Sequence, residues 1–92
     1  ALPLYFETED FLFIHAGLRP GIPLARQDPF DLLWIRQEFF LSDSDFGKVI
    51  VFGHTPFSQP LLLEDKIGID TGAVYGGKLT GIRLPDRKIY QV

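Results

Sequence analysis

Apolar residues in this chain fall into short runs separated by Gly, Pro, Asp and Ser, and the period within each run indicates what it forms. Tyr5-Phe6-Glu7 and Phe11-Leu12-Phe13-Ile14 flank Thr8-Glu9-Asp10, which predicts a hairpin or a close strand pair. From Gly17 to Gln27 there are two Gly and two Pro and no period, so a loop is expected. Asp28-Pro29-Phe30-Asp31 then opens a helix, with a carboxylate cap, a proline in the first turn and an acid facing the positive helix end. Phe30, Leu33 and Trp34 keep the i, i+3, i+4 spacing of one inward face, which predicts one main helix over about 29–40. Lys48-Val49-Ile50-Val51-Phe52 is a continuous apolar run, the pattern of a strand covered on both faces. Leu61 to Leu63, Lys66 to Asp70, Lys78 to Leu84 and Lys88 to Val92 predict further strands, with turns at Glu64-Asp65 and Pro85-Asp86-Arg87. The fold class expected is therefore mixed α/β (α+β), mostly strands with one main helix. So little helix cannot cover two sheet faces, so an apolar face wanting a partner is expected.

Composition narrows the function. The chain has 92 residues, 46% hydrophobic and 23% charged, which predicts a folded domain rather than a disordered segment. No apolar run approaches the ~20 residues needed to cross a bilayer, and the first residues lack the basic-then-apolar layout of a signal peptide. The absence of cysteine excludes a disulfide framework, a thiolate zinc site and an iron–sulfur cluster, and it fits a cytoplasmic setting. A net charge of −3 argues against DNA or RNA as a partner.

Two histidines carry the candidate chemistry, and their settings match. His15 follows Phe11-Leu12-Phe13-Ile14, and His54 follows Val49-Ile50-Val51-Phe52-Gly53. Each is expected at the carboxyl end of a buried strand, the edge at which layered α/β folds gather ligands. Gly53 is expected to let the backbone turn tightly, or approach a bound group, just before the second imidazole. Two neutral imidazoles from separate strands could hold one Mn, Fe or Zn ion, and the same pair could equally be core histidines satisfied by backbone carbonyls. They lie 39 residues apart, so only the fold could join them. Arg36, near the expected helix end, could grip two phosphate oxygens with its guanidinium fork; as residue chemistry alone it reads first as a surface arginine offsetting the helix dipole.

Two segments imitate known sites. Gly72 to Lys78 matches the first seven places of a phosphate-binding loop, but Leu79 replaces the Ser or Thr and a strand pattern follows where a helix should start. Asp43-Ser44-Asp45 resembles the start of a calcium loop, yet its glycine falls one place early, and a solvated turn is expected.

Taken in order, Phe13-Ile14-His15-Ala16-Gly17, Leu33-Trp34-Ile35-Arg36, Phe52-Gly53-His54-Thr55-Pro56 and Ile69-Asp70-Thr71-Gly72 through Gly77 resemble a known series. They are similar to the carboxyl-terminal motifs of the bacterial and phage branch of the PPP-type serine/threonine protein phosphatases, within the calcineurin-like metallophosphoesterases. The resemblance implies the C-terminal part of a metallophosphoesterase β-sandwich over residues 1–92. It also implies two divalent metal ions, commonly Mn with Fe or Zn as alternatives, and attack on phosphorus by a hydroxide bridging them. His15 and His54 match ligands of one metal, Arg36 matches a catalytic phosphate-contacting arginine, and Tyr75 falls where an aromatic lies near the substrate. Asp70-Thr71-Gly72 is expected to be structural.

The amino-terminal motifs of that family, G-D-x-H-G, G-D-x-x-D-R-G and G-N-H-E, are absent. The expectation is a chain lacking the N-terminal metal-binding half, inactive alone, whose partners would be that half and a phosphorylated protein or small phosphoester. A dinucleoside-polyphosphate hydrolase of the same superfamily is the close alternative; the short Gln37 to Gly47 stretch favours the protein phosphatase, because the other branch usually carries a long insert there. A non-catalytic binding or structural module is the third reading.

Overall fold

The computed structural model describes residues 4–42, 46–73 and 76–92. Among these, β1 (Tyr5–Glu7), β2 (Phe11–Ile14), β3 (Val49–Phe52), β4 (Leu61–Leu62) and β5 (Lys66–Gly68) form one sheet in the order β1-β2-β3-β5-β4. The strands β2, β3 and β5 run parallel side by side, and β1 and β4 close the two edges antiparallel. A separate hairpin pairs β6 (Thr80–Arg83) with β7 (Lys88–Gln91). The mixed, strand-rich class expected from the sequence is what forms.

Register decides which side of the sheet carries the core. Leu12 pairs with Ile50 and Ile14 with Phe52, so alternate residues of β2 and β3 share one face. That face packs with Ala16, Leu18, Leu32, Ile35 and Phe39 into one buried cluster. Phe39 is fully buried and meets Phe52 edge-to-face at 5.0 Å.

The expected single helix is two: α1 (Pro29–Trp34) and α2 (Gln37–Phe40). The Asp28 side chain accepts a hydrogen bond from the Phe30 N–H at 2.9 Å and Pro29 fills the first turn, as read from the sequence. Ile35 is already extended (φ −61°, ψ 147°), and Arg36 starts α2 from a non-helical conformation (φ −129°, ψ −112°). The break lets Ile35 stay in the core while Arg36 points elsewhere. The inward face also differs: Leu32, Ile35 and Phe39 are buried, whereas Phe30 and Trp34 are 67% and 57% exposed. Because α1 is apolar on nearly every side, its period could not single out the core face.

Polar side chains fix the connections. Gln27 is buried, accepts from the Arg19 N–H and donates to the Arg19 and Ile22 carbonyls, so the Gly17–Gln27 stretch is a held loop with a 3-10 turn at Leu24–Arg26. Arg19 clamps Asp31 through two nitrogens, at 2.8 and 3.3 Å. Lys66 is 1% exposed; its ammonium donates to the Ser42 carbonyl at 2.6 Å, pairs with Asp65 at 3.1 Å and lies 5.6 Å from the Phe39 ring centre. Arg87 donates to the Leu63 and Glu64 carbonyls and so ties the β6–β7 hairpin to the β4–β5 turn.

The segment from Gly72 to Lys78 is not a phosphate-binding loop. Gly72 and Lys78 pair in a parallel bridge and Thr80 opens β6, so no helix follows to aim its N–H groups at an anion. A Cβ on Gly77 would stand 2.3 Å from the Thr71 carbonyl oxygen, which explains a glycine there without invoking a ligand. Asp43-Ser44-Asp45 and Tyr75 lie outside the described residues.

Candidate functional site

Three parallel strands end side by side, and each releases a polar residue onto the same rim. His15 follows β2 directly, His54 follows β3 after Gly53, and Asp70 lies just beyond β5. The Gly53 N–H donates to the His15 carbonyl at 2.8 Å, locking the two strand ends together. The imidazole rings consequently stand 5.1 Å apart, centre to centre, and neither is sunk in the core. The alternative of two separately buried core histidines does not describe this structure.

Arg36 joins them. Its Nε donates to His54 Nε2 at 3.3 Å, so this nitrogen of the ring carries the lone pair. Arg36 lies just past the carboxyl end of α1, as expected, but in a break before α2 rather than inside one helix, and its guanidinium turns toward His54. The backbone at Gly53 does not itself require a glycine, because a Cβ there would meet only ordinary contact at 3.6 Å. The left-handed backbone falls on His54 itself, at φ 68°. Histidine is among the few non-glycine residues that enter this region with any frequency, and such strain gathers at functional sites.

Desolvation lowers the His54 pKa below its usual 6.5, and the Arg36 charge and then His15 add to the effect; Asp70 and a hydrogen bond to the Trp34 backbone oppose it. The neutral ring, the form that can donate a lone pair, is therefore favoured down to lower pH. An NMR titration of the His54 ring is expected to give a midpoint below 6.5, and Arg36→Ala is expected to move it up. An unchanged midpoint in that variant would mean the guanidinium does not act on the ring.

Asp70 serves structure first, as the sequence reading expected of this segment: its Oδ1 accepts from the Gly72 N–H at 2.9 Å and its carbonyl from Phe57. Thr55, beside His54, has a buried hydroxyl without a hydrogen-bond partner. Sequence reasoning did not single it out, and only burial could reveal it. An unmet buried hydroxyl costs about 1–3 kcal/mol, so an incoming polar group would be favoured there. A cavity of about 290 Å3 opens at this edge between His15, Gly53, Phe13, Val51 and Ile69.

Two imidazoles with an orphan hydroxyl beside them suit part of a divalent-metal shell. Among the described residues no group of three or more His, Cys, Asp or Glu gathers to complete one. The residues fit a metal as a partial ligand set, with the remaining donors required from elsewhere. No helix of the described residues is long and apolar enough to cross a membrane.

The fold is of the metallophosphoesterase type, as its match to a solved structure shows. It superimposes on a crystal structure described as a candidate diadenosine tetraphosphatase with a TM-score of 0.71 and 25% identity, over 89% of this chain and 46% of that one. In sequence, the chain is 54% identical over 43 residues to the asymmetrical bis(5'-nucleosyl)-tetraphosphatase PrpE of Bacillus cereus (strain AH187), and 51% identical over 43 residues to that of Bacillus mycoides (strain KBAB4). Each match covers 47% of this chain and 18% of the relative, so the chain matches a small part of the curated proteins. No protein-family model matches. These relatives fit the calcineurin-like metallophosphoesterases, and their names carry the dinucleoside-polyphosphate assignment that the sequence reading placed second to the phosphoprotein phosphatase.

Proposed function

We propose that this chain supplies part of the active site of a metal-dependent dinucleoside-polyphosphate hydrolase. The observation that carries this reading is the rim itself: His15 and His54 meet at 5.1 Å with Arg36 at 3.3 Å, at the carboxyl edge of three parallel strands. The likeness to bis(5'-nucleosyl)-tetraphosphatases supports the choice of substrate over a phosphoprotein.

Each residue has a part that its geometry suits. Arg36 presents a planar fork of donors able to bind two oxygens of one phosphate, and His54 holds that fork in place. His15 and His54 bring two imidazole rings within 5.1 Å of each other, and His54 Nε2, which accepts from Arg36, could give its lone pair to a metal only by releasing that hydrogen bond. Two divalent ions, when bound, would supply an acidic water and neutralise charge on the phosphate oxygens. The ends of β2 and β3 carry the two imidazoles, and the hydrogen bond to His54 holds Arg36 beside them, so little reorganisation is needed when negative charge develops.

Incubating the full-length protein with Mn2+ and diadenosine tetraphosphate is expected to release nucleotides, resolved by anion exchange. This chain alone is expected to show negligible turnover, because its described residues lack a complete metal shell. Phosphate release from a phosphoserine peptide without cleavage of the dinucleotide would place the protein in the phosphoprotein branch instead. No hydrolysis of either by the full-length protein would leave a non-catalytic module.

A further inference from the structure

The single tryptophan of the chain stands out in the open, beside the histidine rim. The Trp34 ring meets His54 edge-to-face at 5.4 Å. Phe30, one turn earlier on α1, lies 6.4 Å away with its plane tilted by 30°, and it too is exposed. On the other side, Trp34 and Leu33 border a hollow of about 610 Å3 that is shared with Tyr5, Phe6, Phe13 and His15. Large aromatic faces left in water beside a polar rim are unfavourable unless something apolar and flat covers them.

We infer that this hollow seats a nucleobase: one nucleoside of a dinucleoside polyphosphate stacks on Trp34 while its phosphates reach His15, His54 and Arg36. The inference rests on the reading proposed above and names the subsite that selects nucleotides over other phosphoesters. The volume is that of a small-ligand pocket, large enough for a nucleoside, and the apolar aromatic lining suits the π-face of any base. Because the Trp34 ring touches the His54 ring, a base on Trp34 lies alongside the phosphate rim.

Trp34 is the sole tryptophan, so its fluorescence reports on the subsite directly. This chain is titrated with diadenosine tetraphosphate and, separately, with inorganic tripolyphosphate, in the same Mg2+ buffer, with affinities taken by calorimetry. The dinucleotide is expected to bind about tenfold tighter than tripolyphosphate and to quench Trp34, as stacking of one base would produce. Trp34→Ala is expected to bring the two affinities together, and Trp34→Phe to keep part of the difference; circular dichroism checks that both variants fold. Equal affinities, or unchanged emission at saturating dinucleotide, would overturn the nucleobase subsite while leaving the phosphate rim standing. Failure of both ligands to bind would overturn the rim and the subsite together.

Discussion

Phe39→Ala is expected to destabilise the fold by about 3–5 kcal/mol, read as a lower urea midpoint at unchanged slope. The ring has no exposure and touches every layer that matters: Phe52 of β3 at 5.0 Å, Phe46 at 6.1 Å and the Lys66 ammonium at 5.6 Å. Truncation would leave a cavity under the central strand and remove the face on which the buried lysine rests. A small domain has about 5–15 kcal/mol in all, so much of its stability rides on this side chain. The same ring explains Gly17, two residues past His15. A Cβ there would stand 2.3 Å from Phe39 Cδ2, on a backbone at φ 152° that side chains rarely adopt. Gly17→Ala is thus expected to cost several kcal/mol in the native background and distinctly less once Phe39 is alanine, a coupling of at least about 1 kcal/mol. Strict additivity of the two changes would show that ring and backbone do not press on each other.

Replacing His54 separates activity from stability. Under the proposed function, His54→Ala is expected to lower turnover of a dinucleoside tetraphosphate by about 10²-fold or more, since it removes a candidate metal donor and frees Arg36. Stability should change little, because the ring is only partly buried and alanine leaves the left-handed backbone strained. His54→Gly should lose as much activity yet be more stable than His54→Ala by about 1 kcal/mol, because glycine relieves φ 68°. Activity assays with paired thermal melts decide it. A fully active alanine variant, or a glycine variant no more stable than the alanine one, would contradict the role assigned to this residue and its backbone.

The matched settings of His15 and His54 were legible because an apolar run followed by an imidazole needs only local information. Their meeting was not, since it depends on β2 and β3 lying adjacent and parallel in one register. Arg36 shows the reverse. Its candidate role came from resemblance, while the break that holds it was not foreseen, because a helix apolar on nearly every side gives little cue to where it must end. Thr55 carried no signal at all: an unmet hydroxyl exists only once neighbours enclose it. The short segment from Gln37 to Gly47 pointed toward protein phosphatases, and the sequence relatives point the other way. Loop length is a weak guide here, since surface connections accept insertions at small cost.

Local chemistry along the chain settled the strand-rich class, the capped start of α1 and the identity of the two imidazoles, because periodicity and capping act over a few residues. Tertiary structure alone decided which helix face is buried, where Lys66 and Gln27 are satisfied, and that two distant rings share one rim with Arg36. Those outcomes depend on strand order and enclosure, which are properties of the packed chain as a whole.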